Sequence, residues 1–86
     1  MIQTIKAPIT VKTVYNHRKG EVFPSELLWE GRPYKVQKIG LHYTFREGTT
    51  LFHVFTVDTQ ALSFKLQLDT GNLFWTVEQI SDGLPD

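Results

Sequence analysis

A chain of 86 residues, 41% hydrophobic and 13% aromatic, has room for one hydrophobic core, so a single domain over residues 1–86 is expected, with its ordered part over about 8–80. It contains no cysteine, and its stability must rest on apolar burial rather than on disulfides. No apolar run approaches the roughly 18–20 residues of a membrane span, and the first residues lack the apolar stretch of a secretory signal, so a cytoplasmic location is expected.

Formal net charge is zero, but the two halves differ. Residues 1–46 carry eight basic side chains against three acidic, a net of +5, and residues 47–86 carry one against six, a net of −5. Such asymmetry fits a nucleic-acid face, docking of one half on the other within or between chains, or a solvated surface with chance clustering.

Alternation predicts the first strand over Ile9–Tyr15, starting after Pro8, where a missing N–H does least harm. Asn16 to Gly20 is polar, ends in glycine and reads as a turn. Pro24 cannot donate to a ladder, so pairing of the second strand is expected from Glu26. A two-residue turn at Gly31-Arg32 sets Trp29 opposite Tyr34 and Leu27 opposite Val36. Beyond Val36 the apolar phase slips, to Ile39, Leu41, Tyr43 and Phe45. This predicts a β-bulge near Gln37-Lys38, with Gly40 allowing a bend. A turn at Glu47-Gly48 pairs Tyr43 with Phe52 on the inner face and His42 with His53 on the outer one.

A three-residue turn at Asp58–Gln60 pairs Val54 with Phe64. The next run is the most regular in the chain, with Leu62, Phe64, Leu66 and Leu68 on one face and Ala61, Ser63, Lys65 and Gln67 on the other. A last turn at Thr70-Gly71 pairs Leu68 with Leu73 and Leu66 with Trp75, and the tail over 81–86 is expected to fray. The pattern predicts an all-β domain, a six-stranded antiparallel meander curled into a small, partly open barrel. Its inner face would hold Val11, Leu27, Trp29, Tyr34, Val36 and Ile39, then Leu41, Tyr43, Phe52 and Val54, then Leu62, Phe64, Leu66, Trp75 and Val77.

Chemistry-bearing motifs are sparse. Asp69-Thr70-Gly71 is the tripeptide of aspartic proteases, but only 15 residues follow it, and aspartate, threonine and glycine also make an ordinary hairpin turn. His42 and His53 would be two metal ligands where a stable site wants three or four. Ser25, Ser63 and Ser81 have no histidine near them in the expected register. The expectation is therefore a protein that is not an enzyme and has no metal site and no cofactor.

Two binding readings are open. Leu28, Phe55, Val57 and Phe74, with His53, point away from the expected core, and an exposed apolar face on a small domain commonly meets a partner. A homodimer is the reading adopted, with cover by residues 16–25 or the tail as the alternative. The second reading is a nucleic-acid-binding accessory domain using Arg32, Lys35, Lys38 and Arg46, whose charges accompany Trp29, Tyr34, Tyr43 and Phe45 along one hairpin.

Trp29-x-Gly31-Arg32-x-Tyr34-x-Val36, then Phe52-x-Val54-x-Thr56, Leu66-x-Leu68-Asp69 and Trp75-x-Val77, resembles a small bacterial all-β domain family of unknown function. Its relatives include short stand-alone proteins, some encoded near or fused to DNA-repair polymerase genes. The resemblance covers about residues 8–80 and implies the fold, because most of these positions are core or turn positions. It implies no catalytic residue. Family members are arginine-rich on the outer face of the fourth strand, where this chain has His53 and Phe55.

Overall fold

The computed structural model describes residues 2–82, and all regular structure in it is β. Eight strands run as β1 (Ile2–Pro8), β2 (Thr10–Asn16), β3 (Glu21–Trp29), β4 (Arg32–Lys35), β5 (Lys38–Glu47), β6 (Thr50–Asp58), β7 (Ser63–Asp69) and β8 (Phe74–Ser81). They form two antiparallel sheets, a five-stranded one ordered β1-β8-β7-β6-β5 and a three-stranded one ordered β2-β3-β4. The expected all-β class and most of the turns are present. Among the described residues the six-stranded meander is replaced by eight strands in two sheets with no closed barrel.

The chain passes between the sheets at two corners. Val36 N–H donates to the Ser25 carbonyl of β3 (3.0 Å), while the next residue, Gln37, donates to the Asp58 carbonyl of β6 (2.8 Å). Successive N–H groups thus serve different sheets, as they do when a strand turns a corner. At the other corner Ile9 N–H donates to the Trp75 carbonyl (3.2 Å). Trp75 also ties the layers together by its side chain, whose Nε1–H donates to Thr13 Oγ1 (3.1 Å).

Two segments depart from expectation near the N-terminus. Residues 2–8 form an edge strand on β8, held because Ile5 and Ala7 pack against the core; a bulge between Thr4 and Ala7 contains Lys6 at φ +54°. β3 pairs from Glu21 rather than from Glu26, despite Pro24. The proline is tolerated because β4 reaches only to Glu26 and because the β2–β3 ladder shifts register beside it. Of the tail, Ser81 belongs to β8, and residues 83–86 lie outside the described residues.

The hairpins settle which side chains face inward. Trp29 pairs with Arg32 across a two-residue turn, Glu30-Gly31, with both φ angles positive (+51° and +80°). This is the type I′ pattern that matches strand twist. Leu27 lies opposite Tyr34, two positions from the expected pairing but with the same face inward. The β6–β7 connection changes more. It holds four residues, 59–62, so Asp58 pairs with Ser63 and Val57 with Phe64. Thr59 closes it, its N–H and hydroxyl both donating to the Leu62 carbonyl (2.9 and 2.7 Å). An odd change in register sends every side chain of a strand to the opposite face.

Phe55 and Val57 consequently lie inside, each 1% exposed, in a core completed by Leu27, Phe64, Leu66, Leu68, Trp75, Val77 and Ile80. β5 follows β6. Its bulge falls between Ile39 and His42, not at Gln37-Lys38, and turns His42 inward and Leu41, Tyr43 and Phe45 outward. Gly40 is required there, since a Cβ on it would sit 2.9 Å from Thr56 Oγ1. That same hydroxyl accepts the Leu41 N–H at 2.8 Å.

The β7–β8 turn is a four-residue loop, 70–73, and sets Leu68 opposite Trp75. Leu73 is not Leu68's partner; it sits at φ +64° and is 71% exposed. A leucine in this left-handed region costs about 1–2 kcal/mol. Leu73→Asn is expected to raise stability by about 0.5–1 kcal/mol, since asparagine tolerates the region and nothing buried is lost. A higher urea midpoint at unchanged slope is the readout.

Candidate functional site

The face expected to form a dimer interface is not one surface. Phe55 and Val57 are core residues and His53 is partly buried on the inner side, which corrects their assignment. Leu28 (47% exposed) lies on the three-stranded sheet between Thr10 and Pro33, while Phe74 (67% exposed) lies on the five-stranded one. The physical cause is the β6–β7 loop length: one residue more than expected inverts β6.

The inversion brings together a different set. Leu41, Tyr43 and Phe45 stand at alternate positions on the outer face of β5, exposed by 61, 45 and 37%. Phe45 stacks on Phe52 of β6, with centroids 4.9 Å apart and planes 10° from parallel. Phe52 lies opposite Asp69, and Asp69 opposite Phe74, so one cross-strand row reads Phe45, Phe52, Asp69, Phe74. The row beside it begins Tyr43, Val54, Gln67. Val54, although outward-facing, is only 2% exposed. β5 is also an edge strand, bonded to β6 on one side only. Long edge strands with apolar side chains are templates for pairing, and most proteins blunt them.

On the inner side of β5, His42 Nε2 and His53 Nδ1 are 2.8 Å apart, so one imidazole donates and the other accepts. His42 stacks on Phe55 at 4.1 Å, and Phe55 meets Trp75 at 5.7 Å. Among the described residues no group of three or more potential ligands gathers around a point, and the pair has no third member. Burial, and then the neighbouring His42, lower the His53 pKa below its usual 6.5. Above pH 6.5 the group is neutral whether folded or unfolded. Below it the unfolded chain takes up the proton first, so stability falls as pH drops from 6.5 through the folded value. His53→Gln is expected to flatten urea midpoints between pH 7 and 5 relative to wild type; an unchanged slope would contradict this coupling.

The cationic candidates divide. Arg32 and Lys35 lie on β4, three positions apart and so on opposite faces, and Lys38 begins β5, but Arg46 is at its far end, roughly 25 Å away at about 3.3 Å per residue. Asp69-Thr70-Gly71 is a turn: Asp69 Oδ1 accepts the Gly71 N–H at 2.7 Å, and Thr70 Oγ1 donates to the Leu51 carbonyl at 2.7 Å.

Comparison with known protein families, with curated proteins and with solved structures finds no match. The resemblance noted above rests on its quoted residues alone. The apolar set on β5 was missed because Leu41, Tyr43 and Phe45 read as core; the available signal was Gly40, the residue best suited to hold the bulge.

Proposed function

We propose that this domain is a non-enzymatic assembly module that pairs with a second copy of itself through β5. The observation that carries this reading is the ten-residue edge strand with Leu41, Tyr43 and Phe45 exposed along one side. Antiparallel pairing centred on Tyr43 sets Leu41 opposite the second copy's Phe45 and the two Tyr43 opposite each other, so the three side chains shield one another across the seam. It also brings the Lys38 end of one β5 against the Glu47 end of the other, so the charges complement each other twice by symmetry. The backbone bonds give the pairing its geometry, and the aromatic row continuing through Phe52 widens the contact.

Size-exclusion chromatography with light scattering tests this on the wild type and on Tyr43→Glu. The wild type is expected to approach twice the 9.9 kDa chain mass as its concentration is raised, and Tyr43→Glu to stay at the monomer mass while still unfolding in one cooperative transition. A wild-type monomer at every concentration, or a Tyr43→Glu dimer, would overturn the reading.

A further inference from the structure

A cleft of about 370 Å³ lies between β4 and the β6–β7 loop, lined chiefly by Arg32, Tyr34, Lys35, Gln37 and Gln60. Small-molecule sites commonly occupy roughly 300–1,000 Å³. Among the described residues no carboxylate lines it. Lys35 faces Glu26 across the β3–β4 ladder, yet the Glu26 carboxylate turns to its other neighbour, with Oε2 3.8 Å from Lys12 Nζ. Neither the Arg32 guanidinium nor the Lys35 ammonium has an ion-pair or hydrogen-bond partner among the described residues. The Thr59 hydroxyl, at the rim, is spent on Leu62, donating to its carbonyl and accepting its N–H. The available groups are therefore two cations and two side-chain amides.

The backbone adds to this set. Val36 N–H bonds to Ser25 of β3, so the alternation of an antiparallel ladder turns the Lys35 N–H toward the free edge of β4. Tyr34 is held in place beside it, its ring edge-on to Phe64 with centroids 5.2 Å apart. Arg32 and Lys35 leave β4 on opposite faces and both line the cleft, so the guanidinium and the ammonium would reach it from two sides of the strand edge that carries the Lys35 N–H; without a competing acid this set suits a phosphoryl group, with Arg32 able to bind two oxygens at once. A fixed ring flanked by amides suits a planar heterocycle with donors and acceptors on its edge.

We infer that this cleft binds a nucleoside phosphate, its phosphates on Arg32 and Lys35 and its base beside Tyr34, Gln37 and Gln60. This goes beyond the self-association proposed above and does not depend on it. The test is titration with ADP followed by amide NMR, on the wild type, on Arg32→Gln/Lys35→Gln and on Arg46→Gln, with retained spectral dispersion showing that each variant is folded. ADP is expected to shift the amides of residues 32–37 and 59–61. The double variant is expected to bind at least roughly tenfold more weakly and Arg46→Gln as wild type does. Adenosine should bind far more weakly than ADP, and inorganic phosphate should shift only the residues near Arg32 and Lys35. No shift with ADP, or shifts that survive the double substitution, would overturn the inference. A short single-stranded oligonucleotide that binds more tightly than ADP and weakens equally in Arg46→Gln would also overturn it, by making the ligand a strand along β5.

Discussion

Phe55→Ala is expected to lower stability by about 3–5 kcal/mol, the range for truncating a fully buried aromatic ring. A domain of this size has on the order of 5 kcal/mol to lose, so the variant should be largely unfolded at ambient temperature. The reason is position. Phe55 is 1% exposed, stacked on His42 at 4.1 Å and packed against Trp75 at 5.7 Å, with Leu66 opposite on β7. Removing the ring leaves a cavity between three strands of a sheet that cannot close over it. Urea unfolding of Phe55→Leu and Phe55→Ala gives the graded cost, smaller for leucine. A Phe55→Ala midpoint close to wild type would mean that Phe55 faces outward and that the β6 register is wrong.

Leu27→Ala is expected to cost about 2–5 kcal/mol. Leu27 is the only buried member of the core cluster contributed by the three-stranded sheet; the others come from β6, β7 and β8. It lies between Val11 and Tyr34 in the ladder, so it is the central contact by which β2–β4 cover the larger sheet. Its loss should also loosen the Tyr34–Phe64 contact, which near-ultraviolet circular dichroism reads independently of the unfolding midpoint. A cost below about 1 kcal/mol would show that the two sheets do not meet at Leu27.

The strands and most turns were legible because their signals are local. Phe64, Leu66 and Leu68 alternate cleanly, and Gly20, Gly31 and Gly48 mark turns that each use a positive φ. Orientation was not legible at β6. Its residues 54, 55 and 57 are apolar and all buried, so no alternation tells one face from the other. The decision then fell to the Asp58–Ser63 loop, which has no glycine or proline to fix its length. Thr59 and Leu62 set that length through hydrogen bonds that composition does not reveal. The faces of β5 are equally illegible, because a bulge at Gly40 and one at Gln37-Lys38 leave the same apolar residues in phase but put Leu41, Tyr43 and Phe45 on opposite faces. β1 was missed because Thr4, Lys6 and Pro8 dilute its pattern. The candidate surface inherits these outcomes: Leu28 and Phe74 are exposed as read, Phe55 and Val57 are core, and Leu41, Tyr43 and Phe45 lie outside.

Amide hydrogen exchange along β5, measured at low and high protein concentration, tests self-pairing most directly. Alternation from the Glu47–Thr50 pair across the Gly48-Thr49 turn leaves the Thr44 and Arg46 N–H groups on the free edge, and those of Tyr43 and Phe45 bonded to β6. Between about 10 µM and about 1 mM, exchange at Thr44 and Arg46 should slow by roughly tenfold or more while Tyr43 and Phe45 stay protected throughout. Thr44 and Arg46 exchanging at the same fast rate at both concentrations would contradict it.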